Sequence, residues 1–330
     1  MRHLLPAALA LGVLSAIGPT PAGAAPKAKT TVFATAPKGT SGPDSITIGA
    51  GSVWVSYAGG TTADGAEPSG NSTVVRYSMA GAVQNTYSIK GSVDGLKFNP
   101  TDGMVWALQN QDANSSLSII DPATNAVTAK TYAVVSKTQG YDDVVFRDKD
   151  VFLSYTNPAK PDDVTVQKVV PGSSPIQVVT VITAGTPGTN MASGAGGMVP
   201  KIADPDSLKL SPAGDLVQTS GDRDTLVFIA DPGEPGQKIS YLPLKGPKQA
   251  KVSGLDDSLF VTASNGKLFL TDTGSNRVMS IDLTGVATGS LIASVASLKA
   301  LGLINLKTGL VTPLVTGLNG PHGLAFAETP

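Results

Sequence analysis

The chain contains no cysteine among its 330 residues. Without thiols it can form no disulfide, hold no cysteine-ligated zinc ion and use no cysteine nucleophile. This absence excludes disulfide-stapled scaffolds and thiol enzymes, even if the protein folds in an oxidising compartment.

Long apolar runs are absent after the N-terminus, which argues against a membrane anchor. The N-terminus itself reads as a leader, because Arg2 and His3 precede the apolar stretch Leu4–Ile17 and the small residues Ala22-Gly23-Ala24. This order of basic, apolar and small residues is typical of a secretory signal peptide. We predict a signal peptide over residues 1–24, a mature chain that begins at Ala25, and a secreted protein, extracellular or periplasmic.

Histidine is almost absent as well. The chain has two, and if His3 leaves with the leader only His322 remains. This excludes every mechanism or metal site that needs two imidazole groups.

Neither sign of charge is in excess, since 24 basic residues face 25 acidic ones. No basic stripe stands out, so we expect no nucleic-acid partner. We therefore expect the partner to be an unknown small molecule or protein. We expect the protein to be a monomer.

The sequence is rich in turn residues, with 37 glycines and 24 prolines. Between the turns, a strand of the pattern D-x-φ-x-φ, where φ is apolar, recurs about every 50 residues. The five copies are Asp44–Ile48, Asp94–Phe98, Asp142–Phe146, Asp206–Leu210 and Asp257–Val261, and His322–Phe326 keeps the pattern without the acid. This period is typical of propeller blades. We predict an all-β fold, a six-bladed β-propeller of four-stranded antiparallel blades, as a single domain over residues 25–330; five or seven blades remain possible.

The stretch Leu255–Gly285 gives the clearest view of the repeating unit. It contains three apolar or alternating runs, Ser258–Thr262, Lys267–Thr271 and Arg277–Leu283, separated by Asn-Gly and Asp-Thr-Gly-Ser-Asn turns. Such spacing predicts three consecutive strands of one antiparallel meander.

The last blade has to be completed from both ends of the chain. Leu301–Leu306 and Val311–Val315 read as a hairpin of this blade, with Gly323–Phe326 as its inner strand. Because a fourth strand is missing there, we assign Thr30–Ala36 to it. Pairing of the two chain ends would close the ring and leave no free sheet edge.

In this register, the polar residue that opens each inner strand lies at one mouth of the axial channel. The predicted ring consists of Asp44, Asp94, Asp142, Asp206, Asp257 and His322. Converging carboxylates repel, and an oxygen-rich ring suits Ca²⁺, which takes about 6–8 oxygen ligands. The alternative is that each Asp accepts backbone hydrogen bonds in a turn and is purely structural.

The glycine-rich stretch Thr183–Ala203 precedes Asp206, and we expect it to overhang the same mouth. It reads as either a lid or a disordered insertion.

Short motifs also resemble a known family. Asp272-Thr-Gly-Ser-Asn-Arg-Val278 resembles the core of an NHL repeat. Val93-Asp-Gly-Leu96, Pro205-Asp-Ser-Leu208 and Pro321-His-Gly-Leu324 resemble segments of the gluconolactonase (regucalcin-like) family. That resemblance implies a six-bladed propeller with a divalent metal ion on its axis.

The same resemblance places metal ligands at Asp94 and Asp206, and less closely at His322. The family's Asn and Glu ligands have no counterpart here, so Asp94 or Asp206 and Asp44 would have to replace them. Virginiamycin B lyases share the fold, but a chain with one histidine cannot supply their metal and catalytic histidines.

Two functions remain. The first is a secreted binding or scaffold propeller with an axial Asp-lined site that holds Ca²⁺ and a small polar ligand. The second is a metal-dependent hydrolase of the lactonase or esterase type.

Overall fold

The structure, a computed structural model, describes residues 26–66, 70–200, 202–221 and 224–329. The predicted signal peptide and its cleavage site lie outside these residues. The regular secondary structure of the described parts is almost entirely β-strand, with three one-turn 3₁₀ helices, Pro247–Gln249, Thr273–Ser275 and Ala296–Leu298. None of their helices is long and apolar enough to cross a membrane.

The strands group into six antiparallel blades, and the predicted all-β propeller is confirmed. Strand β1 (Lys27–Thr35) comes first and joins the last blade. Blade 1 consists of β2 (Pro43–Gly49), β3 (Ser52–Tyr57), β4 (Asn71–Ser78) and β5 (Val83–Lys90). Blade 2 consists of β6 (Val93–Phe98), β7 (Val105–Gln109), β8 (Ser116–Ile120) and β9 (Val127–Lys130). Blade 3 consists of β10 (Tyr141–Arg147), β11 (Asp150–Tyr155), β12 (Val164–Val169) and β13 (Val178–Thr183).

Blade 4 is a five-stranded sheet. It contains β15 (Leu208–Leu210), β16 (Leu216–Ser220), β17 (Thr225–Ala230) and β18 (Lys238–Pro243), with β14 (Thr189–Asn190) outside β18. The remaining strands are β19 (Leu255–Phe260), β20 (Asn265–Asp272), β21 (Arg277–Thr284), β22 (Leu291–Val295), β23 (Ala300–Ile304), β24 (Val311–Thr316) and β25 (Pro321–Glu328).

The core lies between neighbouring blades. The second strands β3, β16 and β22 are buried along their whole length, because a neighbouring blade covers each face. Val53, Val55 and Tyr77 of blade 1 pack in this way against Phe269 and Val278 of the last blade. In β3, burial on both faces accounts for the consecutive apolar residues Val53, Trp54 and Val55.

The predicted meander within Leu255–Gly285 is wrong. Strand β19 pairs with β22, so that blade 5 is β19-β22-β23-β24, and the β20–β21 hairpin belongs to blade 6. Blade 6 has the order β25-β20-β21-β1, from the inner to the outer strand. The hairpin β23–β24, which the sequence analysis assigned to the last blade, lies in blade 5 instead.

Local packing explains this exchange. Gly266 of β20 lies against the ring of Phe326 in β25, where a Cβ atom would stand 2.2 Å from the ring. At the other end of the same pair, the amide of Asn319 donates a hydrogen bond of 2.9 Å to the carboxylate of Asp272. Strand periodicity identifies a segment as a strand, but contacts of this kind determine which strand it pairs with.

The predicted ring closure is confirmed. Strand β1 covers the outer edge of β21, and β25 forms the inner edge of the same sheet. The hydroxyl groups of Thr31 and Ser280 are 2.9 Å apart across the β1–β21 pair. Both ends of the described chain therefore belong to one blade, as expected.

The glycine-rich segment is neither a lid nor an unattached insertion. Its strand β14 pairs in parallel with β18, with Thr189 opposite Ser240 and Asn190 opposite Tyr241. The amide of Met191 adds a hydrogen bond of 2.9 Å to the carbonyl of Tyr241. The part of this segment around β14 is thus hydrogen-bonded to the outer edge of blade 4, and none of the segment's described residues lines the axial cavity.

Candidate axial binding site

A cavity of about 390 Å³ opens where the six inner strands begin. All six residues of the predicted ring line it, namely Asp44, Asp94, Asp142, Asp206, Asp257 and His322. Asp143, Asp204 and Asp256, together with Lys97 and Lys209, line the same cavity. The structure therefore brings the predicted residues together and adds charged groups that the sequence analysis missed.

The register of β19 shifts one member of the ring. In β2, Pro43 pairs with Tyr57 and Ile46 with Val55 across a bulge. In β19, Leu255 pairs with Val295 and Ser258 with Ala293 across the same kind of bulge. Asp256 is therefore the equivalent of Asp44, and Asp257 lies one position further along the strand. The pattern D-x-φ-x-φ could not separate these two neighbouring acids.

His322 stands between two carboxylates at the mouth. Its Nδ1 lies 3.0 Å from Oδ1 of Asp44 and 3.0 Å from Oδ1 of Asp256. The ring N–H is not aligned with either oxygen as a hydrogen bond, so both contacts are electrostatic. Burial alone would lower the pKa of His322, but the two carboxylates outweigh it and raise the pKa to about 11. At neutral pH the imidazole is therefore a cation that offsets part of the charge of both acids.

Two other mouth carboxyls have no such cation beside them in the part of the chain that the structure describes. Burial raises the pKa of Asp142 far above its usual range, and the nearby Asp256 and Asp94 raise it further. Burial also raises the pKa of Asp94 to about 7, with a further contribution from Asp44. Asp94 keeps hydrogen bonds from the Ser92 hydroxyl, at 2.9 Å, and from a backbone amide, whereas Asp142 has no hydrogen-bonding partner for its carboxyl among the described residues.

Below the mouth, an ion network closes the floor of the cavity. Nζ of Lys209 lies 2.5 Å from Oδ2 of Asp143 and 2.7 Å from Oδ1 of Asp257. Nζ of Lys97 approaches Oδ1 of Asp143 at 3.6 Å. These four residues come from blades 2, 3, 4 and 5, so the network ties consecutive blades together.

The pKa shifts in the floor follow from burial and from these partners. Burial would raise the pKa of Asp143, but Lys209 and Lys97 outweigh it, and the net pKa is lowered. Burial would lower the pKa of Lys209, but Asp143 and Asp257 raise it above its usual value. Burial lowers the pKa of Lys97, and the nearby Lys209 lowers it further. The floor therefore holds one firmly charged lysine and one lysine that loses its proton more readily.

Asp143 and Asp257 also take the structural role that was the alternative for the ring. Oδ2 of Asp143 accepts a hydrogen bond of 3.0 Å from the amide of Leu208 in the next blade. Oδ2 of Asp257 accepts one of 2.7 Å from the amide of Leu324 in blade 6. Each carboxylate thus satisfies a backbone donor at the start of a neighbouring inner strand. Asp257 therefore has a hydrogen-bonding role between blades, and its metal role stays a prediction.

A repeated sequence pattern marks the positions of the two floor lysines. Lys97 and Lys209 follow Asp94 and Asp206 by the same interval, in the repeated pattern D-x-L-K. Strict alternation would put a residue three positions after the acid on the opposite face of the strand. The bulge between Val93 and Gly95 in β6 resets this alternation, so that Asp94 and Lys97 both face the channel.

The donors do not fit a tightly coordinated calcium ion as they stand. Among the described residues, no three acidic or histidine side chains are grouped closely enough to hold one metal ion. Asp44 and Asp256 lie beside an imidazolium, and Asp257 is held by Lys209 and by backbone amides. The metal role of the ring therefore stays a prediction.

Comparison with solved structures shows the same architecture at very low sequence identity. A protein of unknown function from Bacteroides caccae aligns with a TM-score of 0.53 and 10% identity, over 89% of each chain. A gluconolactonase from Xanthomonas campestris aligns at 0.51 and 11%, over 88% of this chain and 81% of that protein. A streptogramin B lyase aligns at 0.50 and 14%, over 90% of this chain and 91% of that protein.

Comparisons of the sequence itself found no relative. No family model matches it, and a search of curated proteins found no match. Identities of this size show a common fold and carry no activity from one protein to another. The chain is a six-bladed β-propeller with the fold that streptogramin B lyase and gluconolactonases share.

Proposed function

We propose that this protein is a binding propeller whose axial cavity holds a small organic cation with polar groups. The observation that carries the proposal is the imbalance of charge in the cavity. Among the residues that the structure describes, eight aspartates line it, against two lysines and one histidine. A cleft with low-dielectric walls and charge of one sign concentrates ligands of the opposite sign.

The distribution of those charges favours binding at the mouth. The floor acids Asp143 and Asp257 are already paired with Lys209, and the mouth acids Asp44 and Asp256 share His322. Asp94 and Asp142 remain at the mouth with raised pKa values, and the described residues place no cation beside either carboxyl. A cationic ligand beside them would lower both pKa values, and binding is favourable where its attraction to the ionised carboxylates exceeds the free energy that their deprotonation costs.

An organic cation suits the site better than a bare metal ion. The acids are spread around the ring, which matches a diffuse charge such as an alkylammonium group more closely than a compact ion that needs several oxygens at 2.3–2.6 Å. The cavity of about 390 Å³ admits a ligand of a few carbon atoms, and its hydroxyl or carbonyl groups would face the polar walls.

The test uses choline as the probe and 3,3-dimethylbutan-1-ol as its uncharged isostere. Choline should bind in calorimetry and raise the stability by RT ln(1 + [L]/Kd), about 2.7 kcal/mol at a hundredfold excess over Kd, whereas the isostere should do neither. Asp94→Asn should weaken choline binding more at pH 8 than at pH 6, because the carboxyl, with a pKa of about 7, is more fully ionised at the higher pH.

The matched control is Asp282→Asn, which removes an exposed acid of β21 that pairs with Lys267 outside the cavity. It should leave choline binding unchanged. Equal binding of choline and its isostere would overturn the proposal. Binding of Ca²⁺ that EDTA abolishes, with no effect of choline, would replace it with the calcium site. Turnover of a lactone by the calcium-loaded protein would favour the hydrolase alternative.

Export is part of the proposal, on the strength of the leader-like residues 1–24 alone. N-terminal sequencing of protein from the culture medium or periplasm should then give a chain that begins at or near Ala25.

A further inference from the structure

Lys97 is the one charged group of the cavity floor that the ion network uses only loosely. Its Nζ makes a single ion contact, the 3.6 Å approach to Oδ1 of Asp143, and the described residues give it no shorter hydrogen bond to an acid. Its side chain is 21% exposed and lines the cavity. The amine is therefore open to a molecule that enters from the mouth.

The carboxylates of both floor acids, Asp143 and Asp257, already have closer partners than Lys97. Lys209 lies 2.5 Å from Asp143 and 2.7 Å from Asp257, and backbone amides take the Oδ2 atoms of both. Lys97 thus stands beside another ammonium group without a close carboxylate of its own. The charged groups that face it are Asp143 on β10, Lys209 on β15 and Asp257 on β19.

This environment favours the neutral amine. Burial and the positive charge of Lys209 lower the pKa of Lys97, while Asp143 and Asp257 oppose the shift without cancelling it. A desolvated lysine beside a second cation is the setting in which enzymes use a lysine as a nucleophile towards carbonyl compounds. A salt-bridging lysine such as Lys209, whose pKa is raised, has no such reactivity.

We propose that Lys97 forms an imine with a small aldehyde or ketone that enters the axial cavity. The lone pair on Nζ attacks the carbonyl carbon, and the carbonyl oxygen takes up a proton to give a carbinolamine. The nitrogen gives up one proton to solvent, the hydroxyl group takes up a second proton, and the nitrogen lone pair breaks the C–O bond and expels water. The resulting iminium ion loses its last N–H proton to solvent to give the imine. One water is released for each imine formed, and no oxidant or reductant is needed.

This inference goes beyond the proposed function, since a cation could bind at the mouth without reacting. The two combine in a carbonyl compound that carries a cationic group, held by the mouth acids with its carbonyl towards the floor. Betaine aldehyde has this form, and 3,3-dimethylbutanal is its uncharged isostere. The pair separates imine formation from charge recognition.

The experiment treats the full chain with each aldehyde and sodium cyanoborohydride near pH 7.5, and locates the reduced adducts by peptide mass mapping. We expect Lys97 to carry most of the label, ahead of exposed lysines such as Lys267, which serve as internal controls in the same sample. Betaine aldehyde should label faster than its isostere. Lys97→Arg, which keeps the positive charge beside Asp143, should lose the dominant label.

Three labelling outcomes distinguish imine formation from cation binding. Label spread over surface lysines with Lys97 at or below their level overturns the inference, and this result needs only the wild-type protein. Dominant labelling of Lys97 at equal rates by both aldehydes supports the imine but contradicts the cation site. Choline binding without labelling of Lys97 retains the proposed function and removes the imine.

Discussion

Replacing Lys209 with methionine should cost far more stability than any surface substitution in this protein. The side chains of Lys209, Asp143 and Asp257 are only 11%, 11% and 13% exposed. Methionine keeps most of the volume but leaves two buried carboxylates without their cation. Removal of one partner from a buried ion pair typically destabilises a protein by about 3–5 kcal/mol. We expect Lys209→Met to fall in this range at pH 7.

The size of the loss should depend on pH, and the sign can be worked out. Because the folded pKa of Asp143 is lowered, its contribution to stability is present above the unfolded pKa and is lost as pH falls through the folded one. In Lys209→Met the carboxyl loses the cation that lowers its pKa and takes up a proton at higher pH. The deficit relative to wild type should therefore shrink as the pH falls from 7 towards 4.

The assay is urea denaturation of both proteins at several pH values. The control is Lys267→Met, which breaks a pair whose side chains are 42% and 52% exposed. Exposed pairs contribute about 0–1 kcal/mol, so this variant should be nearly as stable as wild type. A Lys209→Met deficit no larger than that of the control, or one that does not change with pH, would refute the buried-network argument.

Two further predictions concern the mouth and the ring closure. Relative to wild type, His322→Gln should be destabilised most at pH 6 and progressively less up to pH 11. A histidine whose folded pKa is raised to about 11 stabilises the fold fully below its unfolded pKa, and this stabilisation is lost as the pH rises from the unfolded to the folded pKa. A stability deficit that grows with pH in denaturation experiments would contradict this. Gly266→Ala should lower stability by about 1–3 kcal/mol, because its Cβ would meet the ring of Phe326 at 2.2 Å. Gly196→Ala, whose Cβ has no neighbour closer than 3.9 Å, is the control, and addition of Phe326→Ala should remove part of the Gly266→Ala effect.

Much of the fold could be predicted from the sequence because blades repeat. Asp44, Asp94, Asp142 and Asp206 lie at equivalent places because the same polar residue stands just before the buried run of the inner strand in each of these four blades. The strand β1 was assigned correctly to the last blade from simple counting of strands. Local periodicity and an architecture that must close were enough for these results.

Partners that lie far apart in the sequence could not be predicted in this way. Nothing in the alternation of β19 and β20 shows that the two strands belong to different blades, since both read equally well as parts of one meander. The same limit applies to the floor of the site. The roles of Asp143 and Lys209 depend on bulges and on the approach of neighbouring blades, and neither is visible in a strand pattern.

The position of the β20–β21 hairpin in blade 6 also sets an order in which the blades are completed. Strand β1, near the start of the chain, pairs with β21, and Thr31 meets a residue 249 positions later. Blade 6 cannot be completed until β25, at the end of the described chain, has paired with β20. During synthesis, blades 1 to 4 can form in turn from contiguous segments, whereas β1 has to wait unpaired for almost the whole length of the chain. A nascent chain stopped at any point before β25 therefore keeps an open ring, and the axial cavity comes into existence only when the last strand arrives.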